Sequence, residues 1–211
     1  MKEIDVAALL CSRLCHDLIS PVSAVSNGME ILDDETDPIM REQVFDLIRK
    51  SSQQASDMVQ FYRVAFGAGG GLGDSVAVDK IKPLIENFLN SKKIKLLWDT
   101  NIEFLTKDSN KLLLNLVLLA AESLVRGGEM NVTFEDGVEK KLTVSVAGKP
   151  LIVYPPIVEM LKGSGDKLVF EPRTSPIALI LTLVSSLQAS ILLDDSKEDE
   201  LCFIANWPSE V

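Results

Sequence analysis

Five glycines fall within the seven residues Gly67-Ala68-Gly69-Gly70-Gly71-Leu72-Gly73. Ordering so many glycines inside a helix or strand costs more backbone entropy than the hydrogen-bond ladder returns, so the segment reads as a linker. It divides the chain into two parts that follow different patterns. Before it, apolar side chains recur at steps of three and four residues: Val6, Leu10, Leu14, Leu18, Val22, Val25, Met29 and Leu32, then Val44, Leu47, Ile48, Ala55, Met58, Val59, Tyr62 and Phe66. That period belongs to helices, over residues 4–33 and 39–66, and the polar residues 33–38 turn the chain back between them. Two helices alone bury little apolar surface. The hairpin is therefore expected to pair with a second copy of itself into a four-helix bundle.

After the linker the pattern alternates. Residues 80–89, 110–125, 155–161 and 176–188 read as helices, and residues 93–99, 130–135, 141–147, 190–194 and 201–207 as strands, with a turn at Asp136-Gly137. The expected fold class is α+β: a helical hairpin over residues 1–66, a linker over 67–73, and over 74–211 an α/β domain with helices on one face of a mixed sheet.

Composition narrows the functions open to such a chain. A formal net charge of −10 argues against binding nucleic acid or an anionic membrane, since both need clustered Lys and Arg to displace counterions. The longest apolar run, residues 177–193, is interrupted by Ser185, Ser186, Gln188 and Ser190, so it reads as a buried helix and strand. Residues 1–5 carry acids and lead straight into the helical pattern, unlike a signal peptide. With three cysteines, a reduced cytoplasmic compartment and no disulfide are expected. A protein partner or a small molecule is favoured.

His16 is the sole histidine. At roughly 100° per residue its side chain points away from Leu14, Val25 and Leu32, and its own face carries Ser12, Ser20, Ser23 and Asn27, small groups that would admit another protein at close range. Antiparallel pairing of the two helices brings Ser52 and Ser56 level with it, extending the expected docking surface. A lone surface histidine needs no function, but its neighbours alter that reading. In His16-Asp17-Leu18-Ile19-Ser20-Pro21, the proline removes one helical hydrogen bond at a cost on the order of 3 kcal/mol. Neutral imidazole is a nucleophile near pH 7, and one nitrogen can attack phosphorus while the other keeps its proton. Asp17 either orients that ring or balances the charge it gains, or is a solvated helix acid. Arg13, one turn earlier, either holds phosphoryl oxygens or faces water. Cys11 and Cys15 lie at the flank of the apolar stripe and read as small core residues, not metal ligands.

This string resembles the H-box of two-component sensor kinases. Past the linker, the order of elements resembles the kinases' ATP-binding domain, with three departures. Leu119 stands where the second asparagine of the N-box, a magnesium ligand, would fall, Ala147 replaces the adenine-binding aspartate, and residues 174–181 hold no phosphate-loop glycine. Each departure removes a different contact, to metal, to base and to phosphate, so no ATP or other cofactor is expected.

A kinase-like hairpin with its histidine kept and its nucleotide site stripped resembles the ChpT-type histidine phosphotransferases of alphaproteobacteria. The strings concerned are residues 10–28, 61–68 and 113–122, and Arg126-Gly127-Gly128. The resemblance implies a homodimer that takes phosphate on His16 from the receiver domain of a hybrid kinase. It also implies delivery to response regulators of the cell cycle, CtrA-like and CpdR-like, with Mg²⁺ on the partner receiver. Two other classes compete: a module that only docks receivers, and an ATP-dependent histidine kinase.

Overall fold

The computed structural model describes residues 3–67, 75–100, 102–162 and 171–209. The linker beyond Gly67 lies outside the described residues. Helix α1 (Glu3–Asp34) runs unbroken through Pro21, and α2 (Pro38–Ala65) returns antiparallel to it. The turn is fixed from both sides. Asp37 caps α2 by accepting from the amides of Ile39 (2.7 Å) and Met40 (3.2 Å), and Pro38 occupies the first turn, where its missing N–H costs nothing. Arg41 reaches back to donate to the carbonyls of Leu32 (2.8 Å) and Glu35 (2.6 Å), which the end of α1 leaves without helical partners. The helices approach closely at Gly28, where a Cβ would sit 2.6 Å from Ile48 Cγ1.

The second part contains β1 (Ser75–Ala77), α3 (Val78–Asn90), β2 (Ile94–Thr100), β3 (Phe104–Thr106), α4 (Lys107–Ser123), β4 (Gly128–Asp136) and β5 (Glu139–Ala147). It continues with α5 (Pro155–Lys162), a 3-10 turn (Pro172–Thr174), α6 (Ser175–Ser186), β6 (Ser190–Lys197) and β7 (Glu200–Pro208). Five strands form one sheet in the order β2-β4-β5-β7-β6, parallel between β2 and β4 and antiparallel elsewhere. Register places Val132 opposite Val144 and Val144 opposite Phe203, so one face of the sheet is a continuous apolar layer. Helices α3, α4 and α6 share that core, and α4 is buried nearly all round. The α+β expectation holds, and every sequence-assigned element is present. Missed were β1 and β3, three residues each, which pair only with one another.

The two parts share one core. Met58, Phe61, Tyr62 and Ala65 at the end of α2 belong to the same buried cluster as α3 and α4, and the Phe61 ring stacks on Phe88 at 3.9 Å. Asn115 on α4 donates to the Ala65 carbonyl at 3.1 Å and to the Lys111 carbonyl at 2.8 Å.

Candidate functional site

Helix α1 presents three different flanks at the level of His16. Pro21, Gly28 and Leu32 are buried toward α2. Cys15, Ile19, Val22 and Met29 form an exposed, largely apolar flank. On the other side Arg13 and Asp17 turn toward the second part, and His16 stands between these two flanks with its side chain 81% exposed. Ser12, Ser20, Ser23 and Asn27 are exposed on the same side of the helix, as their spacing predicts.

Among the described residues the imidazole has one partner: Nδ1 lies 3.0 Å from Asp17 Oδ1. The other carboxylate oxygen, Oδ2, accepts from Arg13 Nε at 2.6 Å and from the Tyr62 hydroxyl at 2.5 Å. Burial by itself would raise the Asp17 carboxyl, but the hydrogen bonds from Tyr62, His16 and Arg13 and the nearby guanidinium charge outweigh it and hold the group below its ordinary value. Burial, reinforced by the Asp17 charge, pushes the Tyr62 phenol upward, so it remains a donor. An ionised carboxylate can only accept a hydrogen bond. In the neutral ring this contact is met with the proton on Nδ1 and the lone pair on Nε2.

Arg13 is not a solvated helix cation. Its side chain is only 9% exposed, and besides Asp17 it pairs with Glu122 at the end of α4 and donates to the Arg173 carbonyl at 3.3 Å. Cys11 and Cys15 correct another expectation, for both are exposed. The apolar stripe is wider than α2 can cover, so its flank faces outward. Among the described residues no group of His, Cys, Asp and Glu is arranged to hold a metal ion.

A cleft of about 1110 Å³ opens beside His16. It is walled by α1, α2, the α3–β2 turn, the end of α4 and residues 171–173, and it gathers five cations (Arg13, Lys92, Lys93, Arg126, Arg173) against three acids (Asp17, Glu122, Glu171). In a chain of net charge −10 that is a local reversal of sign. Lys92 is partly buried, with its ammonium 5.3 Å from the Phe88 ring centroid, and burial lowers its pKa despite the opposing pull of Asp17. From α2 the cleft is lined by Gln54 and Met58. Ser52 and Ser56 are exposed, but about half a helical turn round from Gln54, and do not line it.

Sequence reasoning missed Tyr62, Glu122 and Lys92 as site residues. A signal existed for Glu122, a single carboxylate closing ten consecutive residues that are apolar apart from Asn115. Of the positions the resemblance to kinases singled out, Leu119 is packed in the core, Ala147 lies exposed at the end of β5, and Ser175 opens α6 with its hydroxyl donating to the Pro172 carbonyl at 2.7 Å.

Comparison with known proteins bears on the family and the fold. The model of the family described as Histidine phosphotransferase C-terminal domain matches residues 78–199. Protein phosphotransferase ChpT of Brucella abortus (strain 2308) is 30% identical over 200 residues, covering 94% of each chain. A solved structure of a bacterial phosphotransferase superposes with a TM-score of 0.87 at 29% identity, covering 97% of both chains. The Acinetobacter baumannii histidine kinase AdeS shares the fold, with a TM-score of 0.50 at 14% identity over 93% of this chain and 98% of that one.

Proposed function

The chain belongs to the histidine phosphotransferase family, and from that premise we propose that His16 carries the phosphoryl group between receiver-domain aspartates. The observation that carries this reading is an exposed imidazole, tied through Nδ1 to an ionised Asp17, at the mouth of a cation-lined cleft. In the accepting step the Nε2 lone pair attacks the phosphorus of an aspartyl phosphate. The P–N bond forms as the P–O bond breaks, and the aspartate leaves as carboxylate. No proton need leave Nε2, because the ring proton is on Nδ1, and Asp17 balances the charge the ring gains. The reverse step delivers the group to a second receiver. Ser12, Ser20, Ser23 and Asn27 give the partner close access, which transfer requires because the reacting atoms must come within about 3–3.5 Å.

The second copy expected at the hairpin would cover the exposed flank of Ile19, Val22 and Met29. This reading assigns no ATP chemistry to the second part. Leu119 is packed in the core and offers a metal no oxygen. The decisive experiment presents wild type and His16→Gln with a phosphorylated receiver and follows acid-labile label. Wild type should take up and pass on the label, and His16→Gln should do neither while remaining folded. Relay by the variant would sink the proposal, and receiver binding without label on wild type would leave a docking module. Saturable heat on titration with Mg-ATP would restore a kinase.

A further inference from the structure

The structure assigns the second part of the chain a share in the chemistry: we propose that Glu122, acting through Arg13, and Tyr62 are positioning residues that fix the Asp17 carboxylate so that it holds His16 in its Nδ1-protonated form. This rests on His16 being the phosphoacceptor. Asp17 has two oxygens with separate duties. Oδ2 is taken twice, by Arg13 Nε at 2.6 Å and by the Tyr62 hydroxyl at 2.5 Å, and only Oδ1 remains for the imidazole at 3.0 Å. Tyr62 comes from α2, packed edge-on against Phe61 and stacked on Phe66 at 4.9 Å, so its hydroxyl has little freedom to move.

Arg13 is held in turn. Its planar fork reaches Asp17 on its own helix, Glu122 at the end of α4, and the Arg173 carbonyl just before α6. Three elements thus converge on one guanidinium, and through it the α4 end reaches a ring four atoms beyond. A buried pair of this kind is poor evidence for stability, since the desolvation of both charges offsets much of their attraction. Its geometric effect is better founded. Without Arg13 and Tyr62, the Asp17 carboxylate would lose the two partners that fix its rotamer, and the imidazole would relax toward the tautomer of free histidine, with its proton on Nε2. That tautomer has no lone pair on the exposed nitrogen and cannot attack phosphorus until it is rearranged.

Because His16 is the only histidine, long-range ¹H–¹⁵N correlation of the full-length chain reports one pair of ring nitrogens, with no phosphate or partner present. Wild type should show the Nδ1-protonated tautomer in excess. Glu122→Gln and Tyr62→Phe, at different sites and each close in volume to the original, should both move the population toward Nε2-protonated. In both, the single-turnover transfer rate from a phosphorylated receiver should fall about tenfold or more with the receiver dissociation constant unchanged, short of the roughly 10⁴-fold that a wrong tautomer costs a serine protease. Arg13→Lys should fall between. A tautomer ratio that stays at the wild-type value in both variants overturns the proposal, whatever the rate does, for then the contacts merely join the two parts. The ring readout is separate from the relay test, so failure of His16 as phosphoacceptor and failure of the brace are told apart.

Discussion

The helical hairpin and the α/β part solve the problem of apolar surface in opposite ways. In the α/β part, Leu112, Leu113, Leu114, Leu116, Leu118 and Leu119 of one helix are all buried, because the sheet lies on one side of α4 and α2, α3 and α6 close the others. In the hairpin, nine of the fifteen large apolar side chains exposed among the described residues are found on just two helices, Ile19, Val22, Met29, Phe45 and Leu47 among them. A pair of helices has too few neighbours to bury every side of itself. The comparison teaches that the two parts have different debts to tertiary structure. The α/β part is closed on every side with the end of α2 as one of its walls, while the hairpin is closed only at that end, where Phe61 and Tyr62 enter the shared core.

The strongest way to break the comparison is inside α4. Leu116→Ala should destabilise the α/β part by about 2–5 kcal/mol, as large-to-small changes at buried leucines do, measured by urea denaturation. An effect under about 1 kcal/mol would mean that the helix is not packed on all sides. Next in size is the hairpin flank. Ile19→Glu combined with Val22→Glu should lower the mass in light scattering from near twice 23.1 kDa to that of one chain, with the α/β core unchanged. An unchanged mass would leave that flank without its proposed partner.

A smaller effect sharpens the seam between the two parts. The Asp17 carboxyl is held below its ordinary value of 3.8, so its contribution to stability is complete above that pH and is lost as pH falls through the depressed folded value. The stability difference between wild type and Asp17→Asn should therefore be flat from pH 7 to about 4 and shrink only below it. Shrinkage beginning near pH 6 would contradict the assigned protonation. Smallest is the docking face, where Ser20→Trp should weaken receiver binding several-fold and slow transfer without altering the melting temperature. Normal kinetics would place the receiver's approach on another side of His16.

Much of the fold was legible because its elements are long. Helices α1 and α2 span 32 and 28 residues, enough turns for apolar spacing to reveal both their existence and the outward direction of His16. Strands β1 and β3 were not legible, since three residues carry no period and only their mutual pairing makes them strands. The exposure of Cys11 and Cys15 shows the limit of the same reasoning. Spacing shows which residues share a flank, but not whether a neighbour covers it. Spacing placed Ser52 and Ser56 along the helix, but rotation about its axis decided that Gln54 and Met58 line the cleft.

By itself the sequence determined the helical period and the single outward histidine with its acid and proline. These are local properties, written in spacing and residue type. Only the tertiary structure decided what Asp17 and Arg13 do. Their partners Tyr62 and Glu122 lie 45 and 109 residues away, and a contact at that separation exists only once α2 and α4 have been brought together by burying Phe61 and Tyr62 beside α3 and α4.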